Sequence, residues 1–112
     1  MRLLNYSHKL SSEAHALLVS MVGAEVEEKV ILVDLDFDSD MVGQLREVLL
    51  PLVHGVEWDL IIPPAHASAA IVVGHTIAQM STLPSLVTMK GVGTPRRYVP
   101  AQVIPLHHIW KF

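Results

Sequence analysis

Cysteine is absent from the 112 residues, which removes disulfides, thiol nucleophiles and zinc–thiolate centres at once and fits a reducing cytoplasm. A surplus of basic charge is missing too. Eight Lys and Arg against eleven Asp and Glu give a formal net charge of −3, so no general field draws in a nucleic-acid duplex. Any anionic ligand must be held by a local basic cluster, which favours a small ligand. The N-terminus lacks a basic region followed by an apolar segment and a small-residue cleavage site, so no signal peptide is expected. Residues 60–89 contain no Asp, Glu, Lys or Arg, yet they do not read as a membrane span. Pro63-Pro64, Gly74 and Pro84 divide the stretch, and His66, His75 and Gln79 would sit unpaired in lipid. It reads as an interior βαβ unit with a helix covered on most sides. No internal repeat, linker or low-complexity tract is found.

What is present is a 51% hydrophobic chain, enough for one domain over residues 1–112 with a real core. Arg2 to Tyr6 is an apolar run of strand length, Ser7, His8 and Lys9 form a polar elbow, and Ser11 can cap a helix over residues 12–22 that Gly23 ends. The β-branched run from Lys29 to Leu35 predicts a second strand, interior or nearly so because both its faces look covered. Ser39 or Asp40 can cap a second helix from Met41 to His54, with Val42, Leu45, Val48, Leu49 and Leu52 on its apolar side and Pro51 in its last turn. Residues 57–62 form a third strand ended by Pro63-Pro64, followed by a helix from about Ser68 to Met80. Small residues Ala69, Ala70, Gly74 and Ala78 suit close approach to the sheet or a partner. A fourth strand over residues 84–89 leads through the loop Lys90 to Arg97 to a last strand, too near in sequence for a helical crossover and so antiparallel at an edge. Residues 106–112 form an apolar-aromatic tail with no assigned element. The order β-α-β-α-β-α-β-β predicts an α/β, Rossmann-like three-layer domain, mostly parallel with an antiparallel C-terminal edge strand.

If strands one, three and four are neighbours, their elbows converge on one sheet edge, where ligands of such folds collect. That edge would hold Asn5, Ser7, His8 and Lys9; Pro64, His66 and Ser68; and Lys90, Gly91, Gly93, Thr94, Arg96 and Arg97. Lys9, Lys90, Arg96 and Arg97 would stand beside helix N-termini, a placement suited to phosphate. Arg96 and Arg97 read equally well as a solvated turn pair.

Other motifs are weaker. Gly91-Val92-Gly93 is not the dinucleotide fingerprint, and there is no P-loop. Acids at 36, 38, 40 and 47 imitate a calcium loop, but Met41 stands where the sharp turn needs glycine, so a strand end with a helix cap is the better reading. Gly74-His75-Thr76 resembles half of a paired-histidine phosphodiesterase motif without a second copy, and core packing suits it better. His107-His108 lacks acidic or thiol company for a metal, and His15 reads as a helix-face residue. No metal or cofactor site is expected.

Leu4-Asn5-Tyr6-Ser7-His8-Lys9-Leu10-Ser11, the proline-ended third strand with its Ala-rich helix, Leu83-Pro84-Ser85-Leu86-Val87 and Pro95-Arg96-Arg97-Tyr98 resemble the small Csx-group accessory proteins of type III CRISPR systems. These are stand-alone Rossmann-like relatives of the domains that bind cyclic oligoadenylates, and the resemblance covers nearly the whole chain. It implies a cytoplasmic homodimer that holds cyclic tetra-adenylate across its twofold axis and lowers the level of that messenger, as a sponge or by cutting it. In the cutting alternative, a metal-independent ring nuclease, a ribose 2′-hydroxyl attacks the adjacent phosphate. Lys90, Arg96 or Arg97 then stabilises the developing charge and His8 serves as acid or base. A third alternative is a structural α/β module that binds no nucleotide.

Overall fold

The computed structural model describes residues 1–54 and 56–109. An interior strand, β1 (Arg2–Asn5), buries Leu3 and Leu4 completely on opposite faces, as alternation in a doubly covered strand requires. The chain continues through α1 (Ser12–Val22), β2 (Glu27–Val30), α2 (Met41–Val53), β3 (Leu60–Ile62), α3 (Ala67–Ala78), β4 (Ser85–Val92), β5 (Arg97–Pro105) and a single helical turn, α4 (Leu106–Ile109). The sheet order is β2-β1-β3-β4-β5, parallel except for the antiparallel β4–β5 pair. This is the doubly wound, Rossmann-like arrangement, and its strand order reverses between β1 and β3.

One face carries α1, whose Ala14 and Leu18 pack with Leu3, Leu60, Ile62 and Val87. On the other face, Val48 and Leu52 of α2 and Ala69, Val73 and Ile77 of α3 pack with Leu4, Tyr6 and Ile61. Local chemistry sets the helix ends. Ser11 Oγ accepts from the Ala14 N–H at 3.1 Å, and Gly23 closes α1 in the left-handed region at φ 69°, where glycine has no Cβ penalty. Asp40 caps α2 by accepting from the Gly43 N–H. Pro51 sits inside α2, and the Trp58 indole donates to the Pro51 carbonyl at 2.8 Å.

Four expectations need correction. β2 is an edge strand only four residues long, and the apolar run beyond it leaves the sheet, packing Ile31, Val33 and Leu35 against the α2 side while Leu32 is exposed. α3 is covered on one side rather than most sides: Ile71 is 71% exposed, and Gly74 has open space where a Cβ would be. His75 is likewise exposed and meets Gln79, so Gly74-His75-Thr76 is not core packing. Val42 of α2 is exposed too. Of the C-terminal tail, Leu106 packs against the α2–α3 core, whereas residues 110–112 lie outside the described residues. No helix among the described residues is long and apolar enough to cross a membrane.

Candidate functional site

The elbow after β1 is folded around one side chain. Asn5 is fully buried. Its Oδ1 accepts from the Ser7 N–H at 2.8 Å, and its Nδ2 donates to the His8 carbonyl at 2.8 Å and to Glu28 Oε2 at 2.7 Å. The same Glu28 oxygen accepts from the Leu10 N–H at 3.0 Å. Glu28 stands in β2 opposite Leu3, so a carboxylate from the neighbouring parallel strand ties both ends of the elbow. Backbone bonds extend the tie, with Ile31 N–H donating to the Asn5 carbonyl and Tyr6 N–H to the Ile62 carbonyl. Asn5 therefore shapes the elbow, with both amide hydrogens already engaged within the chain.

Over this elbow lies a cavity of about 530 Å³, within the range of small-molecule sites. Its floor and near wall are the elbow itself, Asn5 and residues 7–11, with Ile62 from the end of β3. Met89, Arg97 and Tyr98 of the β4–β5 pair form the far wall. The cavity thus opens at the carboxyl ends of β1 and β3, where the strand order reverses. Its cations are Lys9 and Arg97, both exposed. Arg97 is paired, its Nε donating to Glu13 Oε1 at 2.8 Å across the first turn of α1. His8 is exposed, and among the described residues its ring has no hydrogen-bond partner.

Of the residues expected at the sheet edge, Asn5, Ser7, His8, Lys9 and Arg97 border this cavity. Pro64, His66 and Ser68 do not. Pro64 is buried, and His66, the N-terminal flank of α3, lies against Phe37 with ring centroids 5.2 Å apart and its Nδ1 buried without a partner among the described residues. Lys90, Gly91, Gly93, Thr94 and Arg96 do not border it either. β4 runs on to Val92, so Lys90 and Gly91 are strand residues paired with Val99 and Tyr98, and only residues 93–96 form the connection, which holds a cis Thr94–Pro95 bond. The expected basic loop of residues 90–97 is thus shortened to a four-residue turn, and Arg97, the first residue of β5, meets the first turn of α1 through Glu13. The glycines of this hairpin make room for arginines: a Cβ at Gly91 would meet the Arg96 side chain, and one at Gly93 would meet Arg97 Nη1.

Glu28, Glu13, Met89 and Tyr98 were missed by sequence reasoning. Tyr98 was visible beside Arg96-Arg97 as an aromatic next to cations; Glu28 gave no signal, since its role depends on the β1–β2 register. The acids of residues 36–40 serve the chain locally. Asp36 accepts from Ser39 Oγ and the Asp38 N–H, which holds its carboxyl below the usual range, and no group of three His, Asp or Glu gathers at metal-ligand spacing among the described residues. No family model, no curated protein and no solved structure matches this chain.

Proposed function

We propose that the protein binds cyclic tetra-adenylate in the β1-elbow cavity as a cytoplasmic homodimer and lowers its free level in type III CRISPR signalling, as a sponge. The observation that carries this reading is the cavity at the strand-order reversal with Lys9, Arg97 and Tyr98 on its walls. Cations suit phosphate and an aromatic face suits a base. One such cavity is smaller than a four-nucleotide ring, and a twofold pair presents the same walls twice to a ligand that can itself obey a twofold. Sequestration is favoured over cutting by the state of the elbow. A histidine that moves protons works best with an orienting partner, and among the described residues the His8 ring has none, while Glu28, the carboxylate brought to this elbow, meets Asn5 and the Leu10 N–H instead.

Calorimetry combined with product analysis in the presence of a chelator tests the reading. The expected result is saturable binding of one ring per two chains without multiple turnovers to linear adenylate. Repeated turnover assigns the ring-nuclease activity instead, and absence of binding to any cyclic oligoadenylate leaves an α/β module without nucleotide. Sedimentation showing only a 12.4 kDa species at micromolar concentration overturns the homodimer.

A further inference from the structure

Arg97 is held by its inner nitrogen. Both oxygens of Glu13 meet its Nε, Oε1 at 2.8 Å and Oε2 at 3.1 Å, while among the described residues neither terminal guanidinium nitrogen has a hydrogen-bond partner. The guanidinium also lies on the hairpin turn at Gly93, where φ is 76° and a Cβ would meet Nη1. Guanidinium carries five N–H donors in a rigid plane, and two parallel bonds are its strongest grip on a carboxylate or phosphate. Glu13 makes no such pair; it fixes the plane and leaves the outer donors unused. We propose that Glu13 is a positioning residue for Arg97, orienting it at the cavity wall so that its terminal nitrogens can take a phosphoryl group of the ligand. This rests on the nucleotide reading above. The ion pair is exposed on both sides, with side chains 57% and 53% accessible, so its value lies in orientation and not in fold stability.

The two possible roles of Glu13 differ in sign. A carboxylate that merely competed with ligand phosphate would lower affinity, and its removal would tighten binding. One that orients Arg97 raises affinity, and Gln, which keeps an acceptor for the Nε–H, should preserve the effect. Cyclic tetra-adenylate titrated calorimetrically into Glu13→Ala should bind about two- to fivefold more weakly than into wild type, the size an exposed pair supplies. Glu13→Gln should match wild type or bind tighter, and the Ala effect should vanish in an Arg97→Ala background. Tighter or unchanged binding by Glu13→Ala overturns the inference while leaving the nucleotide reading intact, as does a loss that persists without Arg97. A wild-type chain that binds no cyclic oligoadenylate overturns both.

Discussion

The β1 elbow and the β4–β5 hairpin border the same cavity and are built in opposite ways. In the elbow, a fully buried Asn5 makes three hydrogen bonds and Glu28 adds a fourth to the Leu10 N–H. The loop can change shape only if buried polar groups lose their partners, which is costly. In the hairpin, residues 93–98 are all exposed, and the tie from Arg97 to α1 is one solvent-exposed ion pair, a kind of contact typically worth about 0–1 kcal/mol. The difference separates two tasks. One wall is held by buried polar contacts, and the side chains of the other, the guanidinium and the phenol, stand exposed on a strand ladder, so a change to them costs the fold little.

The largest expected effect comes from breaking the fixed wall. Asn5→Ala leaves the His8 carbonyl, the Ser7 N–H and a part-buried carboxylate short of partners and should cost about 2–4 kcal/mol, read as a lower urea midpoint at unchanged slope. Because a single Glu28 oxygen accepts both bonds, Glu28→Gln can keep them and should cost less than Glu28→Ala. A loss below about 1 kcal/mol for Asn5→Ala, within the range of ordinary surface changes, would erase the contrast between the walls.

The exposed wall should show the reverse pattern. Arg97→Ala should weaken cyclic tetra-adenylate binding by about 1.5–3 kcal/mol, as expected for a direct charge-assisted contact, and leave the urea midpoint almost unmoved. Arg96 folds over Gly91 and does not border the cavity, so Arg96→Ala should cost less, and Lys29→Ala on the far edge strand should do nothing. Equal losses from all three would mean that only bulk charge matters and that the hairpin has no special place in binding.

A smaller effect sharpens the picture of the fixed wall from its other face. Tyr6 follows β1, donates to the Val48 carbonyl at 2.6 Å, and is pushed by burial from 10.0 up to about 12. A phenol whose folded value is raised contributes stability that is complete below pH 10 and is lost as pH rises from about 10 through 12, because the unfolded chain ionises first. Tyr6→Phe should therefore cost about 1 kcal/mol at neutral pH and lose less stability on going to pH about 11 than wild type does. Parallel falls in urea midpoint for the two proteins would show that another group governs the alkaline limb.

Much of the fixed wall was legible in the chain because its signals are local. Leu3-Leu4, the Ser11 cap and Gly23 place a strand, an elbow and a helix without reference to anything distant. What failed depended on long-range pairing. Residues 30–35 look like a strand covered on both faces, and only the sheet order reveals that the ladder stops at Val30 while the apolar run turns to α2. Lys90 to Val92 look like loop because their partners, Arg97 to Val99, are set by a hairpin whose turn starts three residues later. Glu28 reads as one more solvated acid until the register with β1 carries it under the elbow. The cavity therefore drew its near wall from local motifs and its far wall from pairing that no local pattern announced.

The smallest expected effect, at His8, bears most directly on function, since it asks whether the fixed wall only holds or also reacts. The imidazole projects from a rigid loop, is exposed, and has no hydrogen-bond partner among the described residues. As a ligand contact it supplies one hydrogen bond from an exposed side chain, so His8→Ala should weaken cyclic tetra-adenylate binding by no more than about threefold, the lower end of a single net hydrogen bond. Any slow cleavage should then fall only in proportion to occupancy. As a general acid or base it would instead lower the single-turnover rate at saturating enzyme by about 10²–10⁴ while affinity is nearly kept. Geometry favours the first outcome, because a proton-transferring histidine needs its tautomer fixed from behind, and among the described residues no carboxylate hydrogen-bonds the His8 ring, Glu28 meeting Asn5 and Leu10 instead. A large rate loss at unchanged affinity would mean that the bound ligand brings the imidazole a partner that the free elbow does not supply, and this wall would be the reacting part of a ring nuclease.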